Sequence, residues 1–393
     1  MDTARERNGE VQSPAVPAAA NAFLVWATAW WLWAGFDGIE HHVTGDGHLH
    51  AAYSLFVAAT LVLCSVGAGL LDWRRLAAVG LVAWPLAVLL FLVAFVSSDH
   101  PAANLGWLAW PVLCATLFAF LRLRDTQFPS LAGALHAIAY WLASVLLVWE
   151  VHWRVASVAT ADWAAAAAFA VAAAVVLVTL RARGTRAWPV GTHARIYVKA
   201  CCAGVVVALV LSVLAANAVL AGNPAPLPYL PLANPLELAS ALAVYAAVRW
   251  IAALDDYDPP ESLDARTRMG FVAAYGLFLL TMAVARAVHH FAGVPFDAVS
   301  LARSTVLQAS LSLVWGAAAL TTMVLGARRA GRGVWLAGAA LMAVTVVKLL
   351  LVDLGNTGTL GRIVSFLGVG VLLLIVGYFA PVPPRAEVRE QAS

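Results

Sequence analysis

The feature that most constrains this chain is a succession of apolar runs, each long enough to cross a bilayer, separated mostly by short polar loops. The runs cover residues 19–36, 51–71, 76–96, 105–121, 129–149, 162–180, 196–220, 235–254, 269–285, 303–326, 334–352 and 363–380. Roughly 20 helical residues cross a hydrocarbon core about 30 Å thick. In lipid, backbone N–H and C=O groups must pair within their own segment, so each run is expected to be a helix. Composition agrees, with 63% of residues hydrophobic and 11% charged, against roughly 25% charged in soluble domains. The sequence therefore predicts an all-α, polytopic membrane helix bundle of about twelve transmembrane helices over residues 19–380. A disordered cytoplasmic tail is expected at 1–18 and a cytoplasmic tail at 381–393.

The basic residues test that count, because Lys and Arg concentrate in cytoplasmic loops. With the N-terminus inside, seventeen arginines fall in inner segments and four, Arg154, Arg286, Arg303 and Arg362, in outer ones. Lys199 and Arg249 lie near inner helix ends, where long side chains snorkel to the interface. Lys348 alone lies well inside a span, in its outer half. One helix missed or invented would reverse every later loop and erase this asymmetry. The count and the N-in/C-in orientation thus support each other, and the expected location is the bacterial cytoplasmic (inner) membrane. No cleavable signal peptide is evident, so the first run serves as an uncleaved anchor. The net charge of +3 is scattered between apolar runs, which excludes the basic face a nucleic-acid partner needs. Cys64, Cys114, Cys201 and Cys202 all lie in apolar runs without metal-ligand spacing. They read as small buried hydrophobes, with no disulfide.

The outward side gathers the other ionisable residues. Eight of the ten histidines fall there, with nine carboxylates. Arg286, His289 and His290 are spaced i, i+3 and i+4, which puts them on one helix face. Gln308 and Ser312, with Ser304 one turn earlier, form a polar stripe on the tenth run. A lysine at mid-membrane costs roughly 2.5–3.5 kcal/mol on insertion scales, and Asp353 is placed to offset that of Lys348. Arg362 and Ser365 begin the last run on one face. Together these residues suggest one outward-facing polar cleft lined by spans nine to twelve. Glu150 and His152 lie between Trp149 and Trp153 at the outer interface, where a carboxylate of raised pKa can act as a general acid. Asp37, Glu40 and His41 follow the first span.

Plainer readings stand beside these. His48, His50, Asp99, His100 and Asp162 read first as solvated loop residues and helix-end anchors. Lys348, Asp353 and Arg362 can equally form a structural ion-pair network. Asp37 and His41 would share a face on a helix, as helical zinc ligands do, but Gly38, Gly45 and Gly47 point to a loop. No metal and no cofactor are assigned. The outer segment AGNPAPLPYLPLANP, 221–235, holds five prolines, which forbid a helix and favour a stiff, extended lid. Gly361 with Gly368, and Gly370 with Gly377, place small residues on packing faces of the last run.

Four stretches carry a family likeness: VVKLLLVDLGNTGTLGRIVSFLGVGVLLLIVGYFAPVPP (346–384), RAVHHFAGVPFDAVSLARSTVLQASLSLVWG (286–316), PLPYLPLANPLEL (226–238) and WEVHWRVA (149–156). Over roughly residues 22–384 the chain resembles a bacterial predicted-membrane-protein family, domain-of-unknown-function family 2339. Members are often longer, with an N-terminal coiled segment, so the chain resembles their C-terminal portion or a short variant. The resemblance implies a multipass inner-membrane protein and supplies no catalytic residue. Three functions are expected from the residues. Transport or translocation of an envelope-related small molecule or lipid predicts that Arg286, Gln308, Lys348, Asp353 and Arg362 line a path. A periplasm-facing transferase acting on a lipid-linked substrate predicts a deep pocket with a perturbed carboxylate. A non-catalytic scaffold or accessory subunit predicts fully paired polar groups and no pocket. The expected partners are the lipid bilayer and a small-molecule or lipid-linked ligand, and no protein partner is named.

The orientation has a direct check. Cysteines introduced singly in residues 37–50 and 286–303 are expected to react with a membrane-impermeant thiol reagent from the periplasm, and one introduced at Arg186 only after lysis. Reversed labelling would overturn the N-in assignment.

Overall fold

Each apolar run that falls within the described residues is helical, as backbone in lipid must be. The computed structural model describes residues 15–257, 264–329 and 331–349, with positions 370, 371 and 374. In chain order the helices are α1 (Ala15–His42), α2 (Asp46–Leu70), α3 (Arg74–Ser97), α4 (Gly106–Arg124), α5 (Pro129–Ala156), α6 (Ala161–Ala182), α7 (Ala194–Val219), α8 (Pro235–Leu254), α9 (Ala265–Ala292), α10 (Ala298–Arg303), α11 (Thr305–Arg328) and α12 (Arg332–Lys348). No strand occurs among the described residues. Among the described residues, nine helices, α2 to α9 and α11, are long and apolar enough to cross a bilayer. The protein is an all-α, multipass membrane protein. The 28-residue α1 also has the length and carries Trp26, Trp30, Trp31 and Trp33. α12 is described over 17 residues, and most of the run at 363–380 lies outside the described residues.

Helix ends follow local chemistry and correct two boundaries. The glycines after the first run suggested a loop from Gly38, yet α1 continues to His42, with Val43 N–H closing on the Ile39 carbonyl at 2.8 Å. The turn is confined to the residues around Gly45, whose φ of +98° suits glycine. The tenth run forms α11, which begins at Thr305, and the short α10 precedes it. Asp297 caps the short α10 by accepting from the Val299 and Ser300 N–H groups, and Ser304 caps α11 by accepting from Leu307 N–H. Side-chain oxygens at such positions satisfy the orphan donors of a first turn. The hydrogen bonds from Ser300 and Val299 hold the Asp297 carboxyl below its ordinary pKa.

The chain clusters into two units. The first comprises residues up to Ala159, Ala167–Leu211 and Tyr245 onward to the end of that described segment; the second comprises Thr160–Ala166, Ser212–Val244 and the described residues from 264. In the first, Trp84, Leu61, Leu113, Leu117 and Phe120 form a buried core between α2, α3 and α4. Cys64, Cys201 and Cys202 are buried free thiols. In the second, α9 packs on α11 through Ala285, Val288, Leu307 and Leu311. Large apolar side chains such as Leu313, 75% exposed, lie on the surface, as expected where lipid is the solvent.

The glycine faces expected in the last run fall outside the described residues except at Gly370. Close approach is visible instead between α11 and α12. A Cβ on Gly338 would lie 2.7 Å from Met323 Cγ and 2.9 Å from the Ala319 carbonyl oxygen, and one on Gly326 would lie 2.5 Å from Trp335 N. Small residues bring backbones together where no hydrophobic drive exists between helices in lipid. Alanine is the better helix former by about 1 kcal/mol, but overpacking costs about 1–3 kcal/mol. Gly338→Ala is therefore expected to lower the melting temperature in detergent. Gly333→Ala, with no neighbour within 4 Å, is expected to leave it unchanged or raise it, and thermal unfolding of the two variants checks the sign.

Candidate functional site

The C-terminal turns of α9 carry Arg286, His289 and His290. Arg286 is completely buried, at 0% exposure. A buried cation costs several kcal/mol unless its donors are met, so its partners define the site. Its Nη2 donates to Asn217 Oδ1 at 2.7 Å and to the Asn217 carbonyl at 3.2 Å, and its Nε donates to the Leu220 carbonyl at 3.2 Å. Those carbonyls are available because α7 ends at Val219, and the last C=O groups of a helix lack intrahelical donors. The negative end of the helix dipole adds to the attraction. Nη1 lies 3.6 Å from Glu237 Oε1 and makes no hydrogen bond among the described residues.

Glu237 occupies the first turn of α8, where the positive helix end favours a carboxylate. Its Oε2 accepts from Leu232 N–H at 2.6 Å and its Oε1 from the Tyr229 hydroxyl at 3.1 Å. Burial, then the neighbouring Glu237, pushes the Tyr229 phenol above its ordinary pKa, so it remains a donor at neutral pH. His290 stacks on Tyr229 with ring centroids 4.1 Å apart, and its Nε2 donates to the Ala221 carbonyl at 3.0 Å. His289 instead donates from Nδ1 to the Val294 carbonyl at 2.7 Å.

The proline-rich segment is tied down around this charge. Asn234 accepts from Leu236 N–H at 2.9 Å and donates to the Gly222 carbonyl at 2.6 Å, while Gly222 N–H donates to Asp162 Oδ1 at 2.7 Å. Gly222 has φ +74°, and a Cβ there would lie 2.6 Å from Arg286 Cδ. Glycine alone meets both demands.

A cavity of about 400 Å³ adjoins Glu237 between α7, α8 and α9. Asn217, Glu237 and Ser240 are its polar lining, and Leu232, Ala241, Val244, Leu279, Leu280 and Ala283 belong to its apolar wall. Asn217 Nδ2 donates to Ser240 Oγ at 3.0 Å, so one asparagine joins the cavity to the arginine. An apolar hollow with a few fixed polar groups suits an amphipathic ligand.

The other residues singled out in the sequence fall elsewhere. Lys348 Nζ donates to the Gln308 carbonyl at 2.7 Å and the Ser312 hydroxyl at 2.8 Å, so the polar stripe of α11 receives the lysine of α12. Asp353, Arg362 and Ser365 lie outside the described residues. In the first unit, Glu150 accepts from His100 Nδ1 at 2.9 Å, Ala102 N–H at 3.0 Å and Arg154 Nε at 2.7 Å. His152 is exposed. His41 Nδ1 donates to the Asp37 carbonyl at 2.8 Å, and that bond with the Asp37 charge raises the His41 pKa. Glu40 is exposed beside them. Spans nine to twelve were expected to line one cleft. Arg286 instead draws its partners from the seventh and eighth spans, and Asn217, Tyr229, Gly222 and Ser240 were not among the residues expected. One signal was present for Asn217, a lone amide in an apolar run.

Arg286→Met is expected to destabilise by about 3–5 kcal/mol, because it leaves the Glu237 carboxylate buried without its counter-charge. The double variant Arg286→Met/Glu237→Gln is expected to recover part of that loss. Unfolding midpoints of wild type, both singles and the double in one detergent measure the coupling; a purely additive double would show that the two charges are independent.

Neither a curated protein nor a solved structure matches the chain. One family model does, over residues 11–383 and hence nearly the whole chain, in keeping with the likeness read over residues 22–384. The chain belongs to the family described as Predicted membrane protein (DUF2339).

Proposed function

We propose that this multipass protein of a bacterial inner membrane binds the polar end of a small amphipathic molecule or lipid in the α7–α8–α9 cavity, as a step in its translocation. The observation that carries the reading is the cavity itself, about 400 Å³, mostly apolar and bearing Asn217, Glu237 and Ser240. Arg286 beside Glu237 leaves the polar end close to neutral, which suits a hydroxyl- or amide-bearing head better than a bare ion. With the N-in orientation expected from the arginine distribution, that end would face the periplasm. A transferase would need Glu237 as acid or base, but both its oxygens already accept protein hydrogen bonds, which favours binding. A scaffold without chemistry would need no cavity.

Ala241→Trp fills the cavity while leaving the arginine network intact. A ligand at 100 times its Kd stabilises by about 2.7 kcal/mol. Adding envelope lipid extract to the purified protein is expected to raise its melting temperature, and native mass spectrometry to show a bound molecule. Both signals should vanish in a folded Ala241→Trp protein. No bound species and no shift in wild type, or a shift that survives the tryptophan, would refute the reading.

A further inference from the structure

Two histidines stand apart from the eight on the outward side, and they meet. His136 lies on α5 and His193 just before α7. Between α4 and α5 runs a single 3-10 turn, Asp125–Gln127, which brings Asp125 to both. His193 Nε2 is 2.9 Å from Asp125 Oδ2, and His136 Nε2 is 4.0 Å from the same oxygen. The three ligand atoms all lie within 4.8 Å of one another.

We propose that Asp125, His136 and His193 form a binding site for a divalent first-row transition metal of the Zn2+ class. Metal–nitrogen and metal–oxygen bonds of about 2.0–2.2 Å require ligand atoms roughly 3.0–3.5 Å apart, and these three reach that arrangement by shifts of under about 1 Å. Two imidazoles with one carboxylate suit a borderline ion, where Mg2+ or Ca2+ would call for more oxygens.

A second observation points the same way. His136 is 0% exposed, and its Nε2 has no hydrogen-bond partner among the described residues. Its other nitrogen, Nδ1, lies 3.1 Å from the Tyr197 hydroxyl. If Nδ1 carries the proton and donates to that oxygen, Nε2 presents a bare lone pair to Asp125 and His193. Metal-bound histidines are oriented in this way, with the second nitrogen donating to an outer acceptor. Tyr197 opens a π-helical turn, Tyr197–Cys201, a distortion often found at functional sites. The side chains of Asp125 and His193 are 13% and 22% exposed, which gives an ion a way in. Bound there, the metal joins α5, the 3-10 turn and the segment ahead of α7, all within the first unit.

The test uses the full chain in detergent, purified without a histidine tag, stripped with chelator and titrated with Co2+, whose visible absorption reports inner-shell nitrogen and oxygen ligands. The expected result is one Co2+ per chain, displaced by Zn2+. His193→Ala and Asp125→Asn, on partly exposed side chains, should weaken binding more than tenfold with an unchanged elution volume. Tyr197→Phe should weaken it about tenfold, as loss of an outer-shell partner does, and His42→Ala on exposed α1 should change nothing. Absence of the Co2+ band in folded wild-type protein, or a band undiminished in folded His193→Ala and Asp125→Asn, would overturn the proposal.

Discussion

A guanidinium removed from both water and lipid headgroups must find every partner inside the protein, and Arg286 imposes that requirement on the second unit. Its neighbours are placed by it. The end of α7 supplies carbonyls, the start of α8 supplies a carboxylate, and Gly222 must lack a side chain so that the arginine can pass. The proline-rich segment adds no helical hydrogen bonds of its own, because proline has no N–H to give. Its hold on the protein comes from Asp162, Asn234, Tyr229 and Glu237. A segment expected from its prolines to be a stiff lid is therefore fastened, residue by residue, over a buried charge.

Helix ends explain where the polar chemistry collects. The middle of a span in lipid already has its backbone groups paired and carries mostly apolar side chains. The ends offer unpaired carbonyls, unpaired N–H groups and a residual dipole. Arg286 meets the end of α7 and Glu237 the start of α8. His290 meets Ala221 just beyond α7, and Asp297 and Ser304 cap α10 and α11. Lys348 shows the exception that lipid permits, a charge further along a span that reaches the Gln308 carbonyl and the Ser312 hydroxyl.

The fold was largely legible in the sequence, because a bilayer reads hydrophobicity along the chain directly and needs no long-range contact to do so. The breaks were less legible. Gly38 sits inside α1 because the helix on either side carries it, whereas Gly45 makes the turn through its positive φ, and composition does not separate the two. The spacing of Arg286, His289 and His290 foretold one helix face, yet His289 bonds to Val294 while His290 stacks on Tyr229. The partners of Arg286 lie 49 to 69 positions away, and a buried arginine is chosen by whichever helix ends are brought to it. Asn217 was the visible hint, since an amide in an apolar run needs partners of its own.

Satisfied and unsatisfied groups then separate architecture from chemistry. Glu150 has three donors and His100 stacked against Trp153 behind it, and both its oxygens are engaged within the protein. Arg286 Nη1 and His136 Nε2 are different, each buried beside a carboxylate and each without a hydrogen bond among the described residues. Trp84 Nε1 is also unpartnered, but it lies in an apolar cluster, where a lone indole N–H costs about 1–3 kcal/mol and implies no ligand. A buried ionisable group with one orphaned atom is costlier to keep, and the cost falls when a ligand arrives to meet that atom. On the two proposals made above, the cavity beside Glu237 and the carboxylate shared by two histidines are two places among the described residues where a ligand would find polar groups held ready for it.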